Sequence, residues 1–161
     1  MIDRSARQGG VALVVVLILL GALLALALSA IQASALETVM TGNESYRARA
    51  LGAAEAGLAQ ATVALVASGP AVVPAPVANV FLPGQDADSY QYAIADLGDD
   101  ARLAEVTEER QIGHHYTISA EGHSLRGAAV AVEAGVLMVR DAPSGELLAA
   151  RRTYWRRSDL D

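Results

Sequence analysis

The chain has 161 residues, 53% of them hydrophobic, and a formal net charge of −6 with a mean hydropathy of +0.31. It has no cysteine, and all 12 basic residues are arginine. That excludes disulfides, thiolate metal sites, cysteine nucleophiles and lysine Schiff bases, and the acidic balance argues against general nucleic-acid affinity.

Residues 1–10 are short and polar, with Arg4 and Arg7 set against Asp3. The next feature is a run of 29 uncharged residues, 8–36, which no ordinary cytosolic domain carries. Within it, residues 11–31 hold eight Leu, four Val, two Ile and five Ala. A helix of that length spans roughly 31 Å, the thickness of a bilayer core. Its strong hydrophobes favour insertion by about 4–8 kcal/mol. The arginines precede the span, so the N-terminus is expected in the cytoplasm and the remainder across the membrane. A cleaved secretory signal is the competing reading, because Ala33-Ser34-Ala35 has the small-x-small form. The apolar run is longer than such signals use, and helix-forming sequence continues past it.

From Ser45 to Ser68 there is no proline, and alanine and leucine dominate. Leu51, Ala54, Leu58, Ala61 and Leu65 recur at spacings of three and four, which predicts one apolar face. Arg47, Arg49, Glu55 and Gln60 mostly avoid it. Gly42-Asn43 is the expected bend, and Ser68-Gly69-Pro70 the expected stop.

These residues carry a resemblance. Gly9-Gly10 directly before Val11 looks like a prepilin processing site. Glu37, Met40, Gly42 and Asn43, then Ala53-Ala54-Glu55-Ala56-Gly57-Leu58, resemble the N-terminal region of PilX-type minor pilins of type IV pili. The likeness covers roughly residues 7–60. It implies a pilin fold, cleavage between Gly10 and Val11, and N-methylation of Val11. It also implies prepilin peptidase, major and other minor pilins, and the inner-membrane assembly platform as partners. Two positions depart from the usual pattern: Val11 stands where most pilins begin with Phe, and Val15 stands where most carry a glutamate fifth. A missing carboxylate there fits a subunit that initiates or caps, and is similar to the tip subunit of type II secretion pseudopili.

Residues 69–85, with four of the five prolines, read as an extended loop. Strand signals follow. Tyr90, Tyr92 and Ile94 alternate with smaller or polar residues, as do Tyr116, Ile118 and Ala120. Val130 and Val132 open a β-compatible run to Arg140, residues 141–145 form a turn, and residues 146–157 return. Three or four antiparallel strands in order predict a meander packed on the amphipathic helix. The fold class is therefore α+β, with leader 1–10, membrane and assembly helix 11–36, amphipathic helix 37–68 and β head 69–161.

Few residues suggest chemistry. His114 and His115 are adjacent on a strand and so face opposite ways. With His123 they read as hydrogen-bonded strand residues, not as metal ligands or catalysts. Asp86, Asp88, Asp96, Asp99 and Asp100 read as a solvated acidic loop; Asp86-Ala-Asp88 lacks the glycine and terminal glutamate of a calcium loop. Arg151, Arg152, Tyr154, Trp155, Arg156 and Arg157 form a basic aromatic tail, read as a charge-protected edge strand or a contact with an acidic neighbour. Gly21, Ala25, Ser29 and Ala33 recur every four residues, a stripe suited to close packing of membrane helices. No cofactor or metal is called for. The expectation is a single-pass inner-membrane minor pilin that initiates assembly and acts structurally, not as an enzyme. The alternatives are a minor pseudopilin of a type II secretion system and a secreted binding domain.

Overall fold

A computed structural model describes residues 5–69, 72–107 and 110–158, with side chains from residue 11 onward. Met1–Arg4 and Pro70, including the charged start of the leader and the expected helix-stopping proline, lie outside the described residues. The chain divides into two compact units, Met1–Gly42 and Asn43–Asp161.

The first unit is the N-terminal part of helix α1, Ser5–Ala67. Gly42 and Asn43 are both helical. From Val11 to Met40 every large apolar side chain is exposed. This helix is long and apolar enough to cross a membrane. So much contiguous apolar surface has no place in water and suits lipid or neighbouring helices. Three of its hydroxyls bond internally: Ser29, Thr38 and Thr41 each donate to the carbonyl four residues earlier, at 2.8–2.9 Å.

The second unit joins the C-terminal part of α1 to a five-stranded antiparallel sheet. The strands are β1 Val77–Phe81, β2 Ser89–Asp99, β3 Gln111–His123, β4 Ala129–Asp141 and β5 Leu147–Ser158. They lie in the order β1-β2-β3-β4-β5, so each hairpin is made by chain neighbours. The helix ends where expected: Gly69 takes a φ of +75°, and the Ser68 hydroxyl donates to the Leu65 carbonyl.

The alternation read in the strands is their burial pattern. Tyr92, Ile94, Tyr116, Ile118, Ala120, Val130 and Val132 are buried, together with Ala134, Val136 and Met138. From α1 they meet Ala50, Ala54, Leu58, Ala61 and Leu65. The helical stripe is therefore centred slightly to one side of the expected one, with Ala50 and Ala53 fully buried and Leu51 at its edge. The fully buried sheet positions facing the helix come from β2, β3 and β4; β1 adds Val77 and β5 only Leu147, both partly buried.

Three expectations need correction. The proline-bearing segment 69–85 is not all loop, because β1 pairs with β2 there. Val77 and Val80 lie three apart, and Asn79 with a φ of 53° bulges the strand between them, so no alternation marks it. The sheet has five strands, not three or four. A short helix, α2 Ala101–Val106, follows β2; the Asp100 side chain caps it by accepting from the Arg102 and Leu103 amides at 3.0 and 3.2 Å.

Candidate functional site

The contact between α1 and the sheet is built from the smallest residues available. At Gly122 on β3, a Cβ would collide with the Ala50 carbonyl oxygen and the Ala54 amide nitrogen of the helix backbone. At Gly57 on α1, a Cβ would come within 2.9 Å of the Tyr90 ring on β2. Ala50, Ala53 and Ala54 thus let the helix backbone rest directly on the sheet, while Glu55 points outward and is exposed. The Ala-Ala-Glu-Ala-Gly block is in this way an architectural device: its alanines and glycine make the seam and its glutamate stays available.

The other sequence-selected residues lie in the first unit. Val11, Val15, Gly21, Ala25, Ser29, Ala33, Glu37 and Met40 are all exposed. Beyond the local helix backbone, nothing comes within 4 Å of a Cβ placed on Gly21 or on Gly42. Gly10 is helical. Asn43 opens the second unit, where it lines a polar cleft with Tyr46, Arg47 and Arg126. There the Arg126 guanidinium lies 5.5 Å from the centre of the Tyr46 ring.

The acidic residues are not one solvated loop. Asp88 is only 1% exposed and ties three segments together. Its Oδ2 accepts from Arg49 of α1 at 2.9 Å, and its Oδ1 accepts from the Ser124 hydroxyl at 2.6 Å. The Ser124 hydrogen bond, reinforced by Arg49, holds this carboxyl below the usual carboxylate range against the opposing effect of burial. These partners stand 39 and 36 residues away, so nothing local in the sequence announces the cluster.

At the far end of β2, His114 of β3 is clamped between two carboxylates. Its Nδ1 lies 2.5 Å from Asp99 and its Nε2 lies 2.6 Å from Asp96. An ionised carboxylate only accepts, so both ring nitrogens must donate and the arrangement calls for the imidazolium. Burial pulls the His114 pKa down, but Asp96 and Asp99 together outweigh it and raise the group above its ordinary value. Asp96 is held low by the Gly98 amide and then by His114. His115 turns the other way, to Asp100 at 3.2 Å, as expected for neighbours on a strand. His123 lies 3.3 Å from Glu121. Among the described residues no three His, Cys, Asp or Glu side chains are grouped as a metal would need.

The basic tail is β5. Residues 148–158 are exposed on both faces. Arg156 pairs with Glu133 at 2.9 Å, and Tyr154 donates to the same carboxylate at 2.7 Å. Together they depress the Glu133 pKa, Arg156 most.

Residues 8–59 match the family described as PilX N-terminal. The match spans the uncharged helix, the Met40-x-Gly42-Asn43 segment and the alanine seam. Over those residues the chain is similar to the N-terminal region of PilX-type type IV pilins, and the head beyond residue 59 lies outside the match. No curated protein matches the chain, and no solved structure does.

Proposed function

We propose that this protein is a minor pilin that helps initiate a type IV pilus and stays at or near its tip. The observation that carries the reading is Val15. The apolar helix matched to PilX-type pilins has no carboxylate between Gln8 and Leu36. A subunit repeated along a filament brings many N-terminal amines into an apolar interior, and each such charge needs a partner. At a tip, no later subunit presents an amine to this helix. Along the shaft, every copy would leave one amine unpaired, at a cost of about 3–5 kcal/mol.

In this reading prepilin peptidase cuts between Gly10 and Val11, and Val11 is then N-methylated. The helix inserts with its N-terminus cytoplasmic and hands the head to the far side. The stripe Gly21, Ala25, Ser29, Ala33 packs on other pilin helices as the assembly platform extracts the subunit. The role is structural, with no catalytic step. Quantitative proteomics of sheared pili, together with gene deletion, provides the test. A few copies per filament, and a deletion that lowers pilus number more than pilus length, are expected. Abundance comparable with the major pilin would overturn the tip assignment. Loss of protein secretion with pili intact would favour a type II secretion pseudopilin, the alternative for which Val15 also speaks.

A further inference from the structure

The two outer strands of the sheet differ in kind. β1 is five residues long, uncharged and bulged at Asn79. β5 is 12 residues long, pairs only with β4 among the described strands, and is exposed almost throughout. An outer strand carries a row of unpaired N–H and C=O groups that can template another strand, and monomeric sheets keep such strands short, bulged or covered. β1 follows that practice. β5 leaves one side open along its length.

The side chains of β5 indicate what would cover it. Residues paired across strands share a face. Val132 and Ala134 are core residues, so their partners Arg157 and Trp155 lie on the helix side of the sheet. Glu133 and Gly135 pair with Arg156 and Tyr154, which lie on the outer side. Each face of the strand thus offers an aromatic ring beside a guanidinium; Trp155 is 43% and Tyr154 40% exposed. Arg151 and Arg152 extend the cationic row, one on each face. Without these four positive charges, the net charge of −6 becomes −10 for the rest of the chain. Among the described residues only Arg156 of the four has a carboxylate partner.

A second copy does not suit this edge. Its β5 would bring four like charges against four, and its β1 is uncharged and less than half as long. We infer that β5 is the docking edge for an extended acidic segment of a different protein, which adds to the sheet as a sixth strand. Its backbone pairs with the open side of β5, and its carboxylates meet arginines on both faces. Its apolar side chains cover Tyr154 and Trp155. The inference stands on the sheet edge alone, whatever filament the helix enters.

The test uses the full chain in detergent micelles and three synthetic 12-residue peptides. The first alternates Glu with Val and Thr, the second replaces Glu by Lys, and the third repeats the acidic sequence with alternate backbone amides N-methylated. Amide hydrogen exchange, resolved along the chain, is the readout. The acidic peptide is expected to slow those β5 amides that β4 leaves unbonded, at concentrations where the other two do not. Arg151→Glu with Arg152→Glu and Arg157→Glu should weaken it at least ~10-fold and favour the Lys peptide. Arg156 is kept so that its pair with Glu133 survives, and slow exchange of β3 and β4 amides reports that the sheet is intact. If this variant unfolds, the three-peptide comparison on the unmodified chain decides alone. Equal protection by the N-methylated peptide would mean charge attraction without strand pairing, and would overturn the inference. So would protection at β1, or peptide-free protection of β5 through self-association.

Discussion

Asp88 and His114 respond to pH in opposite directions, because one is a carboxyl held low and the other an imidazole held high. The Asp88 contribution is complete above the ordinary carboxylate value and is lost as pH falls through the depressed one. Arg49 is 42% exposed while Asp88 is buried, so Arg49→Ala strands a carboxylate in the interior. That substitution should lower the stability of the head by about 1.5–3 kcal/mol at neutral pH. Equilibrium urea unfolding would measure it, with the loss shrinking below about pH 4 as Asp88 protonates. His114 works the other way. Its contribution is complete below about pH 6.5 and is lost as pH rises through the raised value, when one of its two carboxylates loses a donor. The melting temperature should therefore fall between mildly acidic and mildly alkaline buffer, and His114→Gln should flatten that fall. A pH-independent difference between the two proteins would show that His114 acts only through packing.

At the scale of elements, the decisive contact is the seam between α1 and β3. Gly122→Ala inserts a methyl group into helix backbone, not into a side chain that can turn aside, so about 1–3 kcal/mol of destabilisation is expected. Gly21→Ala meets nothing beyond its own helical turn and should leave head stability unchanged, which makes it the matched control. Leu58→Ala and Leu65→Ala remove fully packed side chains and should each cost about 2–5 kcal/mol. Thermal unfolding of the four variants checks the set; an undisturbed Gly122→Ala would mean that the helix does not lie on this strand. Most of these elements were legible in the sequence, because β2 to β4 and the apolar face of α1 repeat with the period of their burial. β1 was not, since its two partly buried residues, Val77 and Val80, straddle a bulge and prolines stand on either side. α2 was not either: six residues are too few for a helical period, and only the Asp100 cap hinted at it. The Asp88 cluster and the close approach at Gly122 are products of tertiary proximity, which no local pattern encodes.

For the whole molecule, the expected processing sets where the mature chain begins. Mass spectrometry of the N-terminus should find methylated Val11, and Gly10→Arg should leave the leader attached. A start at Leu36 would instead reveal a secretory signal. The order of the strands has a consequence for biogenesis. Because every strand pairs with its neighbours in the chain, the sheet can grow one hairpin at a time as the polypeptide is made. The helix comes first, and its face at Leu58 and Leu65 stays uncovered until β2, β3 and β4 have followed. During that interval the apolar face of the helix has no sheet to pack against. β5 comes last and contributes only Leu147 to the interior. The apolar core can therefore close without waiting for its final strand, which joins a sheet whose helix-facing side is already packed.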